Sequence, residues 1–390
     1  MDERKEMRRR MREQRLGRFH RSAAVLLGSF LLALIVLGLL AKDRTFSEAE
    51  NRSLAQRPAI SWDALRSGRF FSDASDYLAD QFWARDGWIS LDTLGSRLWG
   101  LREVNGVYLG RDGYLFGAPE VPDEVRQTAK IDAVNAFAAR HGDLNVMFLL
   151  APGASAVLED KLPKNAPIRD AGADIRAVEE RLSGVTVLDA LSALREHSGE
   201  DIYYRTDHHW TSLGAYYAFA AAADRLNASV PVPTFEVYTV SDTFEGTMAS
   251  RAGVHGVRDS IRIFLPQGSD IKYYVNYIDT QTRVTSMYDS AALEEKDQYT
   301  VFFGGNHPIV EIRTTAGTGR SLLVFKDSYA NCFMQFLMTY YDTIVMIDPR
   351  YYYGDLGAVL TSYGITDVLF LYSADTWMTD SSLPDVLATG

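Results

Sequence analysis

The sequence predicts an α/β fold: a mostly parallel sheet flanked by helices, with an antiparallel β insertion and an N-terminal transmembrane helix. Three observations predict it. Short apolar runs alternate with helical periodicity over residues 124–227 and again over 321–373. Strands that alternate with helices imply βαβ units and parallel pairing. Between those stretches, residues 230–318 turn to short alternating runs rich in Thr, Tyr, Val and Gly, such as IRIFL and KYYVNYI. At the start of the chain, Ser22 to Ala41 is an uncharged run of 20 residues, about the ~20 needed to cross a ~30 Å apolar layer.

The tail before that run carries nine basic and four acidic side chains. Basic flanks stay in the cytoplasm, which predicts an inside N-terminus and an extracytoplasmic remainder. A cleaved signal peptide is the alternative. Its apolar region is usually ~7–15 residues and ends in a small-x-small site; here the run is longer, and Leu39-Leu40-Ala41 is a poor site. With +5 on the tail and −11 on the whole chain, the remainder carries −16. An acidic ectodomain argues against nucleic acid or anionic lipid as partner.

Of 390 residues, 47% are apolar and 23% charged, the balance of a folded globular protein with one large domain or two small ones. Cys332 is the single cysteine, so no intrachain disulfide can form. The expected organisation is a cytoplasmic tail (1–21), a transmembrane helix (22–41), a polar stalk (42–60) and an extracytoplasmic domain (61–390) with the insertion at about 230–318.

Within the domain, residues 61–100 show apolar positions at mixed three and four spacing and read as helical. Val107–Gly117 reads as a hairpin around Gly-Arg-Asp-Gly. Helix-like residues 124–141 lead to the strand Asn145–Ala151. A helix over 174–183 leads to Val185–Asp189, and a short helix leads to a strand over Ile202–Asp207. A long helix follows from Ser212 to Asn227. After the insertion come strands Ser321–Phe325, Thr343–Ile347 and Asp367–Ser373, with helices between them.

Two motifs carry chemistry. Thr206-Asp207-His208-His209-Trp210 ends the run over 202–207, read here as a strand, just before a helix. In an extended segment, side chains two apart share a face, so Asp207 and His209 point together and His208 points away. A carboxylate beside an imidazole fixes its tautomer for general-base work. Two plainer readings exist: a metal site, for which no second cluster at ligand spacing is present, and helix capping, for which Thr211 or Ser212 is better placed. The second motif, Lys326-Asp327-Ser328-Tyr329-Ala330-Asn331, follows an apolar strand and opens a helix. A serine there sits on a tight turn near free helix N–H groups that can bind an oxyanion. Its plainer reading is a helix cap. Together the motifs can converge at one rim of the sheet, with Ser328 as nucleophile, His209 as base and Asp207 as orienter.

TDHHW, KDSYAN, SEAENR (Ser47–Arg52) and NGVYLGRDGYLF (Asn105–Phe116) together resemble the DHHW proteins. These are a bacterial family related to the SGNH-hydrolase-like domains of the alginate O-acetylation proteins. The resemblance implies an SGNH-hydrolase-like fold and places the family's triad on Asp207, His209 and Ser328. It also implies O-acetyl transfer to an exported polysaccharide or cell-wall glycan, with a membrane-bound acyltransferase as donor partner. SGNH enzymes use a Gly N–H and an Asn side chain for the oxyanion, which makes Gly305 and Asn306, in Gly304-Gly305-Asn306-His307, the candidates. No cofactor and no metal is expected. The sequence departs from the pattern at Lys326, where G-D-S has Gly, and in placing Asp-His before Ser. The competing class is a catalytically silent glycan-binding or scaffold protein, suited by 21 Tyr, 19 Phe and 6 Trp, most of which core packing explains.

Overall fold

A computed structural model describes residues 2–47 and 52–390. Residues 48–51, the middle of the SEAENR stretch, lie outside it. The chain divides into two compact units, Met1–Asp92 and Thr93–Gly390.

The first unit contains a helix, Asp2–Leu40, whose Met11–Leu40 portion is long and apolar enough to cross a membrane. A two-residue pairing of Phe46–Ser47 with Arg52–Ser53 follows. Helices Trp62–Arg66 and Arg69–Asp80 come next, and a further helix starts at Arg85. Ser61 caps the first of these three by accepting the Ala64 N–H.

The second unit is a mixed α/β fold built on an eight-stranded sheet. Across the sheet the strands run Thr282–Val284, Tyr273–Tyr277, Ile309–Thr314, Thr343–Ile347, Ser321–Lys326, Asp367–Ser373, Asn145–Ala151 and Thr186–Val187. The last five are mutually parallel; the first three are joined on antiparallel. Residues 230–318 therefore do not fold wholly apart from the sheet. Three of their strands extend it, and only Phe235–Phe244 with Asp259–Pro266 forms a separate hairpin.

The central strands read as continuous apolar runs because both faces are covered. On Ser321–Lys326, Leu322 and Val324 enter one core cluster while Leu323 and Phe325 enter the other. Met147 and Leu149 pack with the first cluster, and Phe148 and Leu150 with the second. This alternation fixes register, because a one-residue slip would exchange the two faces. At Val107–Gly117 the hairpin forms as read, with Val107–Leu109 paired to Leu115–Gly117. Its turn uses left-handed backbone at Asp112 (φ 56°) and Gly113 (φ 83°).

One strand reading is overturned. Residues 202–207 form no strand of the sheet; Tyr203 makes only an isolated antiparallel bridge to Trp210. The backbone partners of this stretch are the loop's own other arm, the Asp259 side chain and single backbone groups of distant segments. The Arg205 and Thr206 amides donate to Asp259, and the Arg205 carbonyl accepts from Leu115. Tyr203 and Tyr204 are buried because the segment packs as a closed loop, not because it is a sheet strand.

Candidate active site

Ser328 stands on the turn that ends the strand Ser321–Lys326 and opens the helix Tyr329–Phe333. Asp327 builds this turn. Its fully buried carboxylate accepts the Tyr329 N–H at 2.9 Å through Oδ1. Through Oδ2 it accepts the Ser373 N–H at 2.9 Å and the Ser373 hydroxyl at 2.6 Å. Ser373 ends the neighbouring parallel strand, so one carboxylate ties two strand ends together. Ser328 has helical backbone (φ −64°, ψ −22°), and its side chain caps nothing. The plain capping reading thus fits Asp327 and not Ser328. Buried residues flank the serine on both sides, yet it is itself partly open to solvent.

Asp207 and His209 arrive on the tip of a loop closed by Tyr203 and Trp210. The Tyr204 N–H donates to the His209 carbonyl, and the Thr211 N–H to the Ile202 carbonyl at 2.9 Å. At the tip, Asp207 Oδ1 accepts the His209 N–H at 3.0 Å and lies 2.6 Å from His209 Nδ1. The two side chains meet through this local turn, not through an extended segment. His208 accordingly does not point away. Its ring lies against that of His209, centroids 3.9 Å apart, and its Nδ1 is 2.8 Å from the Thr247 hydroxyl.

The other nitrogen of His209, Nε2, is 2.8 Å from Ser328 Oγ. An ionised Asp207 can only accept, so Nδ1 carries the proton and Nε2 offers a lone pair to the serine hydroxyl. The structure thus brings together Asp207, His209 and Ser328, with side chains of the first two buried. The Tyr299 ring is stacked on His209 at 3.8 Å, and its hydroxyl donates to the Ser328 carbonyl at 3.0 Å. Trp210 Nε1 donates to the Tyr329 carbonyl, and the Tyr329 hydroxyl to that of His208.

Burial lowers the pKa of the His209 imidazole to about 4; His208 reinforces the fall and Asp207 opposes it. The ring is therefore neutral at neutral pH, as a proton acceptor must be. Burial alone would raise the Asp207 carboxyl. The two imidazoles and the bonds from His209 and Thr247 outweigh it and hold the group below the usual carboxylate range. Asp207, His208 and His209 could in outline hold a metal ion. The lone pairs argue otherwise: Oδ1 takes two N–H groups of His209, and Oδ2 takes the N–H and hydroxyl of Thr247, both at 2.8 Å. Cys332 is buried, which pushes its thiol up to about 12 and away from thiolate chemistry.

The glycine turn curls through left-handed backbone at Phe303, Gly304 and Gly305. The Gly305 carbonyl and Asn306 Oδ1 accept from Asn331 Nδ2, both at 3.3 Å. Lys326 Nζ donates to Asn306 Oδ1 at 3.0 Å and to Asn331 Oδ1 at 2.9 Å. Gly305 and Asn306 are therefore tied to the serine turn through Lys326 and Asn331. Burial pushes the Lys326 ammonium down to about 8, with Asp348 opposing. Gly246, Thr247 and Tyr299 escaped the sequence reading, and of Asp327 only the helix-capping role was read. Only Asp327 left a signal there, as part of the D-S pair; the others come from segments 90 or more residues away from one of their partners or with no motif of their own.

Fold and site define a mixed α/β protein with a serine, an imidazole and a carboxylate in hydrogen-bond series beside its sheet. The sequence profile of the DHHW protein family matches residues 180–347, the stretch that holds all three, and the resemblance to DHHW proteins is borne out. The chain is similar to a DHHW family protein from Eubacterium siraeum, at 27% identity and a TM-score of 0.63, over 72% of this chain and 95% of that one. Two structures of PatB1 from Bacillus cereus, one with a sulfonyl adduct, share the fold. They are 18% and 17% identical, with TM-scores of 0.58 and 0.57, over 70% and 69% of this chain and 98% and 96% of theirs. No curated protein matches the chain.

Proposed function

We propose that this chain is a membrane-anchored, extracytoplasmic acyltransferase or acylesterase that moves O-acetyl groups on an exported glycan. The carrying observation is the series Asp207 Oδ1, His209 Nδ1, His209 Nε2 and Ser328 Oγ, with gaps of 2.6 and 2.8 Å. Such a series activates a weak hydroxyl nucleophile. Ser328 Oγ attacks the donor's ester carbonyl as its proton passes to His209 Nε2. The tetrahedral oxyanion collapses, and the donor alcohol leaves with that proton. A sugar hydroxyl, or water, then gives its proton to His209 and attacks the acyl-serine, which restores the Ser328 hydroxyl. Asp207 holds the ring and stabilises the imidazolium at each step. Asn306 and Gly305 are the proposed oxyanion donors, and a membrane-bound acyltransferase the proposed source of acyl groups. The helix over residues 22–41 would hold the domain where a growing polymer emerges.

The test is turnover of a chromogenic acetyl ester by the purified full-length protein, with and without candidate glycans. Ser328→Ala should lose at least about three orders of magnitude in rate. Because Ser328 caps no helix, its folding stability should scarcely move. Full turnover by Ser328→Ala would leave the silent glycan-binding reading in its place.

A further inference from the structure

The base of the loop that carries Asp207 and His209 encloses a second feature. Tyr203, Tyr204 and Arg205 on one arm, and Thr211 to Leu213 on the other, wall a cavity of about 90 Å³. Arg258, Asp259 and Arg262 close it from the hairpin strand Asp259–Pro266 and its approach. The lining includes three arginines, Arg205, Arg258 and Arg262, and two aspartates, Asp201 and Asp259. The excess is one positive charge, in a domain region whose formal charge is strongly negative.

The carboxylates are occupied. Asp259 accepts from the Arg205 N–H, the Thr206 N–H and the Thr206 hydroxyl, and Asp201 from Arg205 Nη2. The donors are not. Arg258 and Arg262 are exposed, and among the described residues neither guanidinium has a hydrogen-bond or ion-pair partner. Arg205 Nε is buried without an acceptor, and so is the hydroxyl of Tyr204, a residue only 1% exposed. Burial, reinforced by Cys332, Asp207 and Asp259, drives the Tyr204 hydroxyl well above the ordinary tyrosine pKa, and the Arg262 charge opposes that rise. Buried donors without acceptors cost free energy unless a ligand or water meets them.

A third source of positive potential points the same way. Ser212 opens the 16-residue helix Ser212–Asn227, and Ser212 and Leu213 line the cavity. Their N–H groups are among those a helix leaves without an intrahelical partner, and this end of the macrodipole favours an anion. A cavity of about 90 Å³ takes a small group such as one carboxylate or phosphate.

We propose that this cavity is a subsite for one anionic group, a carboxylate or phosphate, borne by the glycan that the protein acylates. It rests on the acyl-transfer reading only for the identity of that polymer. Seated there, the anionic group would anchor the chain against the same loop that presents His209 to Ser328.

The experiment is calorimetric titration of the full-length protein in detergent with an oligouronate, with its carboxyl-reduced neutral analogue, and with inorganic phosphate. The oligouronate should bind, and the neutral analogue should not. Arg258→Gln or Arg262→Gln, both at exposed positions, should each weaken oligouronate binding about tenfold, the loss expected for one charge-assisted bond. Equal binding of the acidic and neutral oligosaccharides would overturn the proposal. So would unchanged affinity in both variants, or binding of phosphate without the oligouronate, which marks a free-anion site. Ester turnover by the same wild-type preparation separates the two readings: oligouronate binding without turnover leaves this subsite standing and removes the acyl-transfer reading.

Discussion

Gly246 lies so close to Asp207 that a Cβ at position 246 would stand 2.3 Å from the Asp207 Cβ and 2.5 Å from its Oδ2. The backbone at Gly246 is extended (φ −84°), so a side chain is excluded by space and not by dihedral strain. The closeness lets Thr247 reach Asp207 Oδ2 with both its N–H and its hydroxyl. Gly246→Ala should push Asp207 off His209. We expect a loss of about 1–3 kcal/mol in urea unfolding, with a fall in ester turnover larger than any change in KM. Unchanged turnover would show that the Asp207 position does not matter to the rate.

The pH profile of kcat/KM should report His209. Its imidazole is held at about 4, against an ordinary value of about 6.5, so the acid limb should fall near pH 4. His208 is one cause of that depression; His208→Ala should therefore move the limb upward while keeping most of the activity. His209→Ala should abolish turnover. Stability should follow the same sign. The fold favours neutral His209, so its contribution is complete above about pH 6.5 and is lost as the pH falls toward 4, where the unfolded chain takes the proton first. Asp207, held below the carboxylate range, adds a further loss at still lower pH. An acid limb near 6.5 in the wild-type protein would contradict the buried, neutral imidazole.

Asp327→Ala should act on folding before it acts on chemistry. It would strip the acceptor from two N–H groups, those of Tyr329 and Ser373, beside a buried hydroxyl. At about 1–3 kcal/mol for each orphaned N–H, the cost should be about 2–6 kcal/mol in denaturant unfolding. Asp327→Asn keeps one acceptor oxygen and should lose less. Equal stability of all three proteins would mean that the strand ends are held by packing alone.

The anchor is checked on the mature protein. If residues 22–41 are an uncleaved helix, N-terminal sequencing should still find Met1, and protease added to intact cells should digest the ectodomain. A mature N-terminus near Lys42 would replace the anchor by a signal peptide and keep the export.

Much of this fold is legible along the chain because its signals are local. The strands Asn145–Ala151, Thr343–Ile347 and Asp367–Ser373, and the helix Ser212–Asn227, form at the residues where the apolar runs and periodicity begin and end. Thr211 caps that helix by accepting the Gly214 N–H, as its type and place suggest. The helix carries its 3.6-residue period, and each strand is an unbroken apolar run of strand length, signals contained in the segment itself.

What the sequence by itself determined, then, is the order of strands and helices, the apolar N-terminal run, and the residue types of the candidate site. Tertiary structure alone decided how that site is held. Residues 202–207 have the composition of a strand, yet their polar backbone groups find Asp259 and Leu115, some 54 and 90 residues away. His209 meets Ser328 across 119 positions, and Asp207 depends on a glycine that precedes Thr247 by one residue and bears no motif. Hydrogen bonds and close approaches of this kind have no period. They are set by which distant segments the core brings together, so no window along the chain contains them.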